Sequence, residues 1–227
     1  MDLESLRARY PSLPYVLPFV VFLVFLALQR FVPLAPAIEG PLRLAVLAGV
    51  LWFFSRHVVE LHSHHLIVSA CIGIAVFVVW VLPDELFPHY RQHWLFQNNL
   101  TGSLQSSLPG EARLDPLVLA YRCIRTVVFV PVIEELFWRA WLMRWLISSR
   151  FDGVRLGAYT IQSFWITAVL FATEHGPYWD VGLVAGIVYN WWMVRTRSLG
   201  DCILAHAVTN ACLCGYVIAT HRWEYWL

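Results

Sequence analysis

Long apolar runs broken by short polar clusters set the organisation of this chain. Runs of mostly apolar residues fall at 13–28, 42–54, 66–82, 116–147, 157–175, 181–194 and 199–219. A membrane span needs about 20 such residues. The runs stop at Gln29-Arg30 and Pro33, at Ser55-Arg56, at Pro83-Asp84-Glu85 and at Gly176-Pro177. Residues 84–115 are the most polar stretch and predict a long extramembrane loop, with an interfacial helix near Trp94. The run 116–147 would be about 48 Å long as a helix, longer than a bilayer core. Pro131 within it predicts a kink or a break. The pattern therefore predicts an all-α, polytopic transmembrane helix bundle of seven spans, or eight if Pro131 divides one. Residues 1–115 make the N-terminal helices and the polar loop. Residues 116–220 make a helical core that carries the chemistry. Both belong to one integrated membrane domain.

Composition agrees. The 227 residues are 59% hydrophobic and 14% charged, with a mean hydropathy of +0.61. Soluble domains average about 25% charged residues. The 12 Trp fit the enrichment of this residue at bilayer interfaces. A net charge of +1 argues against a nucleic-acid partner. The five cysteines, Cys71, Cys123, Cys202, Cys212 and Cys214, sit in apolar runs and read as buried small hydrophobes rather than a disulfide framework. Arg7 and Arg9 precede an apolar run interrupted by Pro14 and Pro18, with no small-residue cleavage site, which predicts a retained first span. In a seven-span arrangement Arg7, Arg9, Arg56, Arg144, Arg150, Arg155, Arg195 and Arg197 share one side. Arg30, Arg43, Arg91, Arg113 and Arg222 fall on the other. The bias favours a cytoplasmic N-terminus, and an eighth span would overturn it. The compact length points to the inner (cell) membrane of a bacterium.

Three polar patterns lie inside the last apolar runs: Glu134-Glu135-x-x-x-Arg139, Phe171-x-x-x-His175 and His206-x-x-x-Asn210. Ionisable side chains at membrane depth are costly and mark functional sites by default. Glu135 and Arg139 stand at i,i+4 with the acid first, the favoured order for a helical ion pair. Glu134 then points about 100° away around the helix, free for proton transfer. His175 ends its helix beside Gly176-Pro177, where an interfacial cap is the bland reading. His206 and Asn210 share a face, as catalytic groups or as interhelical polar glue. Counted along their helices at 1.5 Å per residue, all four reach one layer near mid-membrane.

The series resembles the family of CAAX-processing and bacteriocin-processing membrane proteases (Abi, or CPBP), which includes the CAAX prenyl endopeptidases. The resemblance covers about 117–216. It implies an intramembrane glutamate peptidase that needs no cofactor. Glu134 and His175 hold and activate a water. Glu135, paired with Arg139, orients the site. His206 and Asn210 donate to the tetrahedral oxyanion, a role open to both residue types. Phe171 and Trp138 are candidate substrate contacts. Trp138 and Ala140 depart from the family's usual Phe and Gly, and Glu174 is an extra acid beside His175. The implied partners are the lipid bilayer and a peptide or protein substrate that carries a lipid in some members.

Two rivals stand against this reading. One is a zinc metalloprotease holding the ion with Glu134, His175 and His206, although the His-Glu-x-x-His signature is absent. The other is a non-enzymatic membrane scaffold. The His62-x-His64-His65 cluster reads as a solvated loop. Cys123 has no partner histidine nearby in sequence to make it a nucleophile.

Overall fold

The computed structural model describes residues 3–29, 31–32 and 34–226, with the side chains of Leu3, Glu4 and Ala8 left aside. Arg30 and Pro33, named above as stops, lie outside the described residues. Among the described residues the fold is helical throughout, with a single isolated bridge at Asn98–Gly102. We number the helices α1 (Leu3–Arg9), α2 (Leu13–Leu28), α3 (Pro36–Ser55), α4 (Leu66–Leu86), α5 (Pro116–Trp145), α6 (Ile161–Thr173), α7 (Trp179–Thr196) and α8 (Leu199–Thr220). Helices α3, α4, α5 and α8 are long and apolar enough to cross a membrane. Helices α2 and α6 are apolar but shorter.

Local chemistry sets the helix starts. Asp115 accepts from the backbone N–H groups of Leu117 and Val118, and Pro116 occupies the first turn, where its missing donor costs nothing. Thr160 and Ser163 cap α6 reciprocally. Ser198 accepts from the N–H of Asp201 at the start of α8.

Pro131 does not divide α5: Pro116–Trp145 is one helix, so the kink or break expected there does not split a span. The helix runs unbroken because its ladder widens to π geometry over Arg125–Phe129, before the proline. Val130 N–H already bonds five residues back, to Arg125 O. The next bond of that series would need an N–H that Pro131 lacks. A second π segment, Leu136–Leu142, follows.

The interhelical contacts place the connections on two faces. On one, Ser55 donates to Pro14 O at 2.5 Å and Trp141 donates to Ser12 at 3.0 Å. Arg144 donates to Val154 O at 3.0 Å, and His65 pairs with Asp201 at 2.9 Å. The exposed His62 and His64 stay in this solvated loop, as expected, while His65 and Ser63 fasten it to α8 through Asp201. On the opposite face, Arg91 ties the 87–115 loop to the α6–α7 turn. Its guanidinium donates to Asp84 at 2.9 Å and to Pro177 O and Asp180 at 2.7 Å, and lies 4.2 Å from the centre of the Tyr178 ring. Tyr225 donates to Asp84 at 3.0 Å. The interfacial helix expected near Trp94 is only a 3₁₀ turn, Tyr90–Gln92; the Arg91 anchors hold the loop in its place.

Large exposed apolar side chains ring the bundle, Trp52, Ile67 and Trp165 among them. A lipid-facing belt accounts for them, and the chain is an integral membrane protein. All five cysteines are free; Cys202 and Cys214 are buried as expected, but Cys71 is exposed on α4.

Helices α4 and α8 meet at Gly73. A Cβ there would lie 2.4 Å from Ala205 O and 2.8 Å from the Cβ of Val208, so only glycine admits this approach. The Gly73 carbonyl accepts from Thr209 across the contact at 2.8 Å. Gly73→Val should destabilise the bundle by about 1–3 kcal/mol, read as a lower unfolding midpoint in detergent than that of Gly49→Val, where a Cβ meets nothing within 4 Å.

Candidate active site

Helix α5 carries Glu134 and Glu135 on a short α segment between its two π segments. Such π turns are frequent at functional sites. Both acids are buried, as are Arg139 and His206. Glu134 and His206 line a cavity of about 800 Å³, together with Phe171, Glu174, His175, Tyr189 and Asn210, and Glu135 and Arg139 lie outside its lining. The residues singled out from sequence on three separate helices thus meet at one place.

Arg139 organises the inner layer. Its Nη1 donates to Glu135 Oε1 at 3.1 Å, its Nε to Asn190 Oδ1 at 3.0 Å and its Nη2 to Gly186 O at 3.5 Å. The guanidinium lies 4.3 Å from the centre of the Phe171 ring. Arg139 and Glu135 are both 0% exposed, so the charges are compensated by each other and by these donors and acceptors. Asn190 is in turn fixed by donating to Phe164 O at 2.9 Å.

His206 joins this layer to Glu134. Its Nδ1 is 2.8 Å from Glu135 Oε1, so Nδ1–H donates to that carboxylate. Its Nε2 faces Glu134 Oε2 at 4.0 Å. The ring stacks on Tyr189, with centroids 5.1 Å apart and planes at 22°, and the Tyr189 hydroxyl donates to Thr209 at 2.7 Å. To donate from Nε2 as well, the imidazole must carry both protons. Glu135 beside it supplies the anion that makes this tolerable.

His175 is oriented the other way. Its Nδ1 is 2.8 Å from Phe171 O, a pure acceptor, so Nδ1 carries the proton and Nε2 offers a lone pair. Trp80 packs edge-on at 5.1 Å. Helix α7 comes close behind it: a Cβ on Gly182 would lie 3.1 Å from His175 Nδ1. Glu134, Glu174 and His175 each offer one donor atom within 4.8 Å of the others. Glu134 Oε2 is buried and has no hydrogen-bond partner.

Asn210 is set by the irregularity in α5. Its Nδ2 donates to Thr126 O at 2.9 Å. Thr126 O is the carbonyl whose π-type partner would be Pro131, so a side chain from α8 fills the acceptor that the proline orphans. One Asn210 N–H remains for the cavity.

Of the two candidate substrate contacts, Phe171 is among the residues that line the cavity. Phe171 is 1% exposed and serves as the platform under Arg139. Trp138 does not line the cavity; its indole N–H donates to Glu174 Oε1 at 3.0 Å. The groups that offer donor atoms within 4.8 Å of one another are Glu134, Glu174 and His175; His206, the third ligand of the zinc alternative, is not in that set, though its Nε2 lies 4.0 Å from Glu134 Oε2. Glu174, Asn190 and Tyr189 are the residues that sequence reasoning did not place. Glu174 was visible as an acid next to His175. Asn190 was visible as an amide in the apolar run 181–194.

Residues 116–212 match the family model of type II CAAX prenyl endopeptidase, Rce1-like. This segment is Rce1-like. The match covers α5, α6, α7 and part of α8, whereas the cavity wall contributed by Phe22, Leu26, Trp80 and the 101–107 loop lies outside it. No curated protein and no solved structure matches the chain. The Rce1-like segment contains every residue of the inner layer.

Proposed function

We propose that this protein is an intramembrane glutamate-type endopeptidase that cuts a peptide bond of a membrane-associated or CAAX-like substrate. The observation that carries the reading is a buried Glu134, its Oε2 without a hydrogen-bond partner, that offers a donor atom within 4.8 Å of one from His175 in the same cavity. A water bound there donates to both and is poised to lose a proton to Glu134. Its oxygen attacks the scissile carbonyl. The resulting oxyanion accepts from His206 Nε2–H and from the remaining N–H of Asn210. Glu135 and Arg139 do not touch substrate; Arg139 fixes Glu135, and Glu135 fixes the His206 ring through Nδ1. His206→Ala and Asn210→Ala should each lower kcat by about 10²–10³-fold with little change in KM, measured on the purified protein in nanodiscs with a cleavable membrane peptide.

The convergence of Glu134, Glu174 and His175 favours a second reading, in which these groups hold a divalent ion that activates the water. Chelation separates the two. Cleavage should survive exhaustive dialysis against a chelator. Complete loss that zinc restores would reject the metal-free mechanism. Comparison of the membrane peptidomes of cells carrying the wild type or Glu134→Gln identifies the substrate. Identical peptidomes would reject the protease reading.

A further inference from the structure

The cavity opens at one end of the bundle and reaches inward to Glu134, Tyr189 and His206. Its rim includes the exposed Gly102, Ser103 and Gln105 of the 87–115 loop. Trp226 stands beside them, accepting from Ser107 N–H at 2.9 Å. Gln29 at the end of α2 and the α6–α7 turn, Gly176 to Tyr178, complete that end. No lining residue comes from the connections at 55–66, 145–161 or 196–199, which lie on the opposite face. The unbroken α5 makes this assignment firm, because the helix delivers the chain from the loop face at Pro116 to the other face at Trp145. The α6–α7 hairpin leaves that second face and returns to it, so sidedness does not depend on how deeply the hairpin reaches.

The arginines of the two faces differ in their company. On the face away from the cavity, Arg9, Arg56, Arg150, Arg155, Arg195 and Arg197 are exposed, and none forms a salt bridge among the described residues. The cavity face carries Arg43, Arg91, Arg113 and Arg222: Arg43 pairs with Glu39, Arg91 with Asp84 and Asp180, Arg222 with Glu85 and Glu224, and Arg113 donates to Leu108 O. Arg122 and Arg125 lie inside α5 against the cavity rather than in a loop. The side richer in loop arginines is the cytoplasmic one by the insertion bias, whatever acids accompany them, and unpaired interfacial cations are further attracted to the anionic leaflet.

We propose that the catalytic cavity opens on the face away from the cytoplasm. Its substrate is then a polypeptide presented from outside: an exported chain, or the outward segment of a membrane-anchored one. This rests on the reading of the cavity as the peptidase site. A substrate that stays in the cytoplasm would have no path to Glu134.

The test is single-cysteine labelling with a membrane-impermeant maleimide. The full chain is expressed in a bacterial host in a Cys71→Ser background, which removes the exposed native thiol. In intact spheroplasts, Ser103→Cys and Gln105→Cys should label, whereas Asp152→Cys should label only after permeabilisation. The two rim positions guard against misfolding of either variant. Labelling of Asp152→Cys from outside, or protection of both rim positions until permeabilisation, would overturn the proposal. Labelling does not require turnover, and the inactive Glu134→Gln protein should give the same pattern. A reversed pattern with cleavage intact would thus reject the sidedness alone. The expected pattern with unchanged peptidomes would reject the peptidase.

Discussion

Glu134→Gln is expected to lower the cleavage rate by about 10²–10⁴-fold, the range supplied by a positioned general base, while leaving the fold intact. The two halves of this expectation come from the same atoms. Glu134 is 5% exposed, and its Oε2 has no hydrogen-bond partner. Glutamine fills the same volume and removes a buried anion, so the unfolding midpoint should stay level or rise. The amide cannot take a proton from water, so turnover should fall. The measurements are single-turnover cleavage and thermal unfolding on one preparation. A variant that unfolds with the loss of activity would show Glu134 to be a structural anchor. A variant that keeps near-wild-type turnover would move the base elsewhere, to Glu174 as the other carboxyl of the cluster.

Arg139→Ala should produce the opposite balance: a large loss of stability. Arg139 and Glu135 are 0% exposed, and the guanidinium satisfies Glu135, Asn190 and Gly186 together. Removing one partner of a buried pair costs about 3–5 kcal/mol, because the remaining charge is left uncompensated. Arg139→Lys should recover only part of this, since an ammonium cannot reach Glu135 and Asn190 with the same fixed fork. Glu135→Gln combined with Arg139→Ala should cost less than the two single changes added together, because no bare carboxylate remains. Additivity of the two effects, measured by denaturation in detergent, would show that the pair is not coupled.

Much of this architecture is readable from residue patterning. The apolar runs locate the helices, since a lipid-facing helix must be apolar along its whole length. The i,i+4 pairs place Glu135 with Arg139, because that geometry is local to one helix. Three features escaped for a shared reason: they depend on which neighbour arrives from another helix. Pro131 looked like a break, and it is not one. The accommodating π turn and the Asn210 amide that fills Thr126 O cannot be read from residues 116–147 alone. Trp138 looked like a substrate contact, as large aromatics in a protease core often are, but the approach of α6 turns its N–H onto Glu174. Asn190 was passed over as one amide in an apolar run, and only the closeness of α7 to α5 gives it to Arg139.

The two π segments of α5 carry a consequence for how this protein tolerates change. Glu134 lies between them, the cavity-lining Arg122 precedes the first, and the charge-holding Arg139 lies within the second. Each residue of an α-helix advances the side-chain direction by about 100°. Deleting one residue within 125–129 would let that segment close into regular α geometry, and it would rotate the upstream wall of the cavity against the catalytic carboxylates. Length in this helix is therefore a form of angular phase. A one-residue deletion here is a rotation of half the active site, and it should prove more damaging to catalysis than most substitutions in the same five positions.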